Sequence, residues 1–143
     1  AQVIEMDTED GFANALSFAS IMQALEYPAT FYVLTSVGKL FPDVMTILAR
    51  DFEVGYHGDV HDSFKGQSAT AQEQRLQNMR REMASVLPDT KGITGFRAPT
   101  EGYDATTEQL LPKYGIRHHA SGPNDTEARV PFFAKIEGLT NEE

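Results

Sequence analysis

Cysteine is absent from the 143 residues, which excludes disulfides and thiol nucleophiles and is compatible with either redox compartment. Cations are scarce: 12 Lys and Arg stand against 21 Asp and Glu, a net charge of −9, and there is no basic run. That balance argues against an extended phosphate-binding surface and hence against a nucleic-acid partner. No apolar stretch approaches the roughly 20 residues needed to cross a bilayer, so no membrane-spanning segment is expected. The opening residues, Ala1 to Glu5, read as a strand and not as a secretory leader, so the expectation is a mature, trimmed or excised domain. Internal repeats, linkers and low-complexity tracts are missing too. What remains is a chain with 41% hydrophobic residues, long enough for one domain with a core and too short for two ordinary ones.

Along the chain, strand patterns alternate with helix patterns. Strands are expected near residues 3–9, 29–35, 52–56, 92–97 and 116–121. Helices are expected over 12–26, 42–50, 68–87 and 105–114, punctuated by Pro28, Pro42, a Ser68 cap, Pro88, an Asp104 cap and Gly115. Residues 130–134 read as a strand or edge segment, where Pro131 argues against a central position. Strict alternation implies right-handed βαβ units around a parallel sheet, either open and doubly wound or part of a barrel. In both, chemistry gathers at the carboxyl ends of the strands. Asp7 and Glu9, His57, Arg97, and His118 with His119 all fall at that end.

The centre of the pattern is Gly55-Tyr56-His57-Gly58-Asp59-Val60-His61-Asp62. On a helical turn, histidines four residues apart share one face and can meet one metal ion. A third ligand, a carboxylate, must come from elsewhere. Such a site leaves positions open for water, whose pKa a zinc ion lowers from about 16 to roughly 7. A second carboxylate can serve as general base, and Arg97 can hold it ionised and oriented. The amide after Pro99 is free to donate to an oxyanion. Together these parts describe metal-assisted hydrolysis of an acyl group.

These residues carry a family resemblance. Met6-Asp7-Thr8-Glu9-Asp10-Gly11, the 29–34 strand, His57-x-x-x-His61 and Arg97-Ala98-Pro99 occur in the order found in the polysaccharide deacetylases, the NodB-homology family of metal-dependent carbohydrate esterases, which the chain resembles through Gly115. The resemblance implies a distorted parallel-stranded (β/α) barrel of the polysaccharide deacetylase type. It also implies a divalent metal, usually Zn2+, and removal of N-acetyl groups from a glycan substrate, with an extracellular or cell-envelope location. Carried over by residue, it makes Asp7 the general base, His57 and His61 metal ligands, Arg97 the residue that orients the base, and the Thr100 amide the oxyanion donor. The acidic motif departs from the family's adjacent aspartates. Period two favours Asp7 as base and Glu9 as ligand, with Asp10 as the stand-in. Gly58 replaces the usual hydroxyl residue after the first histidine. The family's later motifs supply an aspartate with a tryptophan and then a histidine that protonates the leaving amine. This chain has no tryptophan and no histidine beyond His119. The expectation is a single domain over 1–143 that lacks its last strands, with His118 or His119 as the alternative acid and Asp125 as a candidate remnant of the fourth motif.

Plainer readings stand beside these. A catalytically inactive metal- or glycan-binding domain of the same fold is the main alternative, because the acid is missing. Two histidines and a carboxylate also suit ferrous iron in an oxygenase, although that chemistry usually uses another scaffold. His118 and His119 alternate faces, so at most one points into the site, and a structural role is expected of both. Glu73, Arg75, Arg80, Arg81 and Glu82 read as a solvated helix face. Tyr103 and Phe133 are candidates for a sugar platform.

Overall fold

The structure is a computed structural model that describes residues 4–9 and 12–122. Five short strands, β1 (Glu5–Thr8), β2 (Thr30–Val33), β3 (Glu53–Tyr56), β4 (Gly95–Phe96) and β5 (His118–His119), pair in parallel in chain order. A doubly wound sheet reverses its order at a switch point. The unbroken order here is that of a (β/α)-barrel wall, which decides between the two architectures that alternation alone allows.

Five helices connect the strands: α1 (Ala13–Ala24), α2 (Thr35–Gly38), α3 (Pro42–Asp51), α4 (Ala69–Ala84) and α5 (Ala105–Leu110). Their ends follow from local chemistry. Pro42 sits in the first turn of α3, where no amide partner is needed. The Ser68 hydroxyl accepts from the Ala71 amide at 3.2 Å and starts α4. Asp104 and Thr107 form a reciprocal capping box at α5. A 3-10 turn, Leu111–Tyr114, extends α5, and Gly115 at φ 75° ends it.

The register sorts the sheet's side chains between two faces. Asp7, Tyr32, Gly55 and Gly95 lie side by side on one, the inner face. Met6, Phe31 and Val54, then Thr8, Val33, Tyr56, Phe96 and His119, lie on the outer face, which meets the helices. The two glycines on the inner face make room for the Tyr32 ring. A Cβ on Gly55 would lie 2.5 Å from Tyr32 Cε1.

Several boundaries differ from the sequence reading. β4 and β5 shrink to two residues each; ahead of β4, Ile93 turns back to donate to the Thr90 carbonyl at 3.1 Å. α2 is an extra turn, held where the Thr35 and Ser36 amides donate to the Gly58 and Asp59 carbonyls at 3.0 and 3.1 Å. Leu25, inside the helix expected over 12–26, is 55% exposed, and α1 ends at Ala24. The 130–134 segment, Asp125 and Phe133 lie outside the described residues, as does Asp10.

Candidate metal and hydrolytic site

His57 follows the last residue of β3 and continues its inner-face alternation. Its ring is almost fully buried, and its Nδ1 lies 2.9 Å from the Arg97 carbonyl oxygen. A carbonyl can only accept, so the neutral ring carries its proton on Nδ1 and Nε2 presents a lone pair. That lone pair faces Glu9 Oε1 at 3.4 Å, and His61 Nε2 lies 3.0 Å from the same oxygen.

Glu9, His57 and His61 thus bring three ligand atoms within 4.8 Å of one another. The residues fit a divalent cation on two grounds. First, an acceptor nitrogen pointed at a carboxylate oxygen is repulsive unless a proton or cation lies between them. Second, ligands about 2.0–2.2 Å from a tetrahedral ion are about 3.3 Å apart, near the 3.0 and 3.4 Å observed. Two imidazoles and a carboxylate suit zinc, with the Nδ1–carbonyl bond of His57 as the outer support that such ligands need. The pair does not sit on a helical turn as the spacing suggests. Residues 57–64 form a loop, because Gly58 takes φ 85° and packs on Pro99, where a Cβ would come within 2.8 Å of Pro99 Cγ.

Asp7 lies beside this group. Arg97 Nε approaches Asp7 Oδ2 at 3.2 Å, within ion-pair range, although Nε is not aligned for a hydrogen bond. Asp7 Oδ1 is buried and, among the described residues, without a hydrogen-bond partner. Burial raises the Asp7 pKa above the ordinary carboxylate value. His57 when protonated and the Arg97 guanidinium oppose this, and Glu9 and Glu101 add to it. The sequence reading has Arg97 holding this carboxylate ionised; here desolvation outweighs that attraction. A raised pKa suits a general base that works near neutrality.

Arg97 also pairs with Glu5 through Nη1 at 2.9 Å and with Glu101 through Nη2 at 3.2 Å. Glu5 shares the inner face with Asp7 by period two, so its position was legible. Glu101 was not, because its approach depends on the left-handed backbone of Thr100 and Glu101, at φ 57° and 54°. Thr100 is exposed, and among the described residues its amide has no backbone hydrogen-bond partner. Its side chain makes no hydrogen bond or ion pair with Glu9, His57 or His61.

The two late histidines separate. His119 points to the outer face, its ring 5.5 Å from Phe96 and 4.3 Å from Tyr103. Burial pushes its pKa down to about 4, so it is neutral near pH 7 and cannot donate a proton into a site on the other face. His118 belongs to the inner face and is exposed. Tyr103 is no open sugar platform: it is 7% exposed, and its hydroxyl donates to the Gly122 carbonyl at 3.0 Å. Arg75 is not on a solvated face either. Its side chain is 11% exposed and pairs with Asp59 at 2.8 Å.

The comparisons agree with this fold. A family model described as polysaccharide deacetylase matches residues 5–119. No curated protein sequence matches the chain. Among solved structures, the chain is similar to a family-4 carbohydrate esterase pseudoenzyme of Bacillus anthracis, at 15% identity and a TM-score of 0.74, covering 82% of this chain and 41% of that one. It is similar to a family-4 carbohydrate esterase of Streptomyces lividans in complex with acetate, at 15% identity and TM-score 0.72, covering 81% and 59%. It is also similar to the peptidoglycan deacetylase PdaC of Bacillus subtilis, at 16% identity and TM-score 0.70, covering 81% and 55%. At these identities the likeness is one of fold, and the chain spans only 41–59% of the length of these three structures. No helix among the described residues is long and apolar enough to cross a membrane. With the family model matched over most of its length, the chain belongs to the polysaccharide deacetylase family.

Proposed function

We propose that this chain acts as a metal-dependent hydrolase that removes N-linked acetyl groups from an amino-sugar polysaccharide or oligosaccharide. The observation that carries this reading is the convergence of Glu9, His57 and His61 within 4.8 Å, beside a buried Asp7 oxygen that has no hydrogen-bond partner among the described residues. Glu9, His57 and His61 would hold the cation, with zinc the best match to the donor set. When bound, such an ion supplies Lewis acidity toward the acyl carbonyl and toward water. Asp7 Oδ1 takes the proton from the attacking water. Arg97 fixes the Asp7 carboxylate and is itself oriented by Glu5 and Glu101. The Thr100 amide donates to the oxyanion of the tetrahedral intermediate. His119 is unsuited to protonate the leaving amine, because it is neutral and faces away.

A second reading is a binding domain of the same fold without catalysis. It is favoured by the likeness to a structure described as a pseudoenzyme and by the neutral, outward-facing His119. Acetate release from an N-acetylated chito-oligosaccharide, measured with and without a chelator, separates the two. The hydrolase reading expects release that stops on chelation and returns with added zinc. Zinc binding with no release would support the binding domain instead.

A further inference from the structure

We propose that Arg75, clamped to Asp59, is the positioning residue that sets His61 against Glu9 and so fixes the affinity of the site for a divalent cation. The inference rests on the metal-site reading above and concerns a residue outside its ligand set.

The two histidines are held very differently. His57 sits at a strand end, buried, with Nδ1 bonded to a backbone carbonyl. His61 lies four residues along a non-helical loop, its side chain 40% exposed, and among the described residues its polar contact is with Glu9. Its place is therefore set by the loop backbone. Arg75 reaches that backbone on both sides of His61. Nη2 donates to the Val60 carbonyl at 2.9 Å, just before the histidine, and Nη1 donates to the Ser63 carbonyl at 3.2 Å, two residues after it. Nε donates to Asp59 Oδ1 at 2.8 Å, and the same oxygen accepts from the Val60 amide at 2.9 Å. The guanidinium lies 3.9 Å over the Phe64 ring, which closes the loop. One planar cation thus reads three acceptors of a single loop in a fixed fork, which a lysine cannot do. Both partners of the ion pair are about nine-tenths buried. Buried ion pairs are weak contributors to stability compared with apolar replacements, so their use here points to geometry.

The inference also explains the glycine after the first histidine. Gly58 lets the loop turn at φ 85° under Pro99, and the support that a hydroxyl residue would have given comes instead from helix α4.

The test is an equilibrium zinc competition against a chromophoric chelator, using the full chain and its Arg75→Met, Arg75→Lys, His61→Ala and Arg75→Met/His61→Ala variants. Thermal melting of each metal-free protein runs alongside. Wild type should bind one zinc. Arg75→Met should weaken binding about 10- to 100-fold, the range for supports of metal ligands, with Arg75→Lys in between. The double variant should bind no more weakly than His61→Ala alone, because Arg75 acts through His61. A purely structural role would lower the metal-free melting temperature while leaving zinc affinity unchanged, or would add its full effect to that of His61→Ala; either result overturns the proposal. If Arg75→Met does not fold, Asp59→Asn, which keeps shape and removes the charge, must show the same non-additivity. Failure of wild type to bind zinc would overturn the metal-site reading itself, whereas tight binding by Arg75→Met would overturn only the positioning role.

Discussion

The inner and outer faces of one short sheet solve opposite problems. The outer face packs Phe31, Val54, Tyr56 and Phe96 against helices and keeps its one histidine neutral. The inner face carries Glu5, Asp7, Glu9, His57 and Arg97, joined by close ionic contacts, at positions that run from exposed Glu5 to buried His57. A chain that only needed a core would not concentrate charge there, since desolvating carboxylates is costly. The difference teaches that strand alternation alone can place a packed, neutral histidine and one that faces a carboxylate within a single family of strands. The test of that statement is whether substitutions on the two faces have separable consequences.

The largest separation is expected at Asp7. Asp7→Asn should lower acetate release on the order of 10²- to 10⁴-fold, the usual contribution of a positioned base. Because burial already disfavours the charged carboxylate, the neutral isostere should melt no lower than wild type. Retained activity would break the assignment of the base.

His119 should behave in the reverse way. Its folded pKa is about 4 against an ordinary value of 6.5, so between those limits the unfolded chain holds more protons than the folded one. Stability then rises with pH across that window and is lost on acidification, by on the order of 3 kcal/mol in full. Urea unfolding at pH 7 and pH 4.5 should show this fall in wild type and a smaller one in His119→Phe. Acetate release at neutral pH should be unchanged by the substitution; a loss would place His119 in the reaction after all.

A smaller effect separates two glycines on the inner face. Gly55→Ala would set a methyl 2.5 Å from Tyr32 Cε1 and should cost about 1–3 kcal/mol. Gly95→Ala, with 3.4 Å to the same ring atom, should cost less. Equal costs, by chemical denaturation, would mean that Tyr32 is not the filler of that face. The smallest effect is expected at Thr100, whose φ of 57° is one that glycine adopts freely. Thr100→Gly should move stability by less than about 1 kcal/mol and preserve acetate release, because only the amide is used.

Much of the inner face was legible from period two and from the position of strand ends. Asp7, Glu9, His57 and Arg97 follow from those rules once a parallel sheet is accepted. The caps at Ser68 and Asp104 were legible because each is a local contest between side chain and backbone. The missed features are non-local. Arg75 lies on the same helix as the exposed Arg81, and only the return of the 59–64 loop onto α4 buries one and not the other. Helix α2 exists because its first amides bond a loop more than twenty residues on, a contact that no propensity encodes. His61 looked helical by spacing, but the positive φ of Gly58 sends the backbone another way.

The central claim is that Glu9, His57 and His61 jointly grip one ion. X-ray absorption at the zinc edge of the reconstituted protein tests it most directly. The account predicts two imidazole nitrogens and oxygen donors at about 2.0–2.2 Å, with one imidazole lost in His61→Ala and the carboxylate lost in Glu9→Gln. A spectrum without imidazole scattering, or one that neither substitution alters, would contradict it.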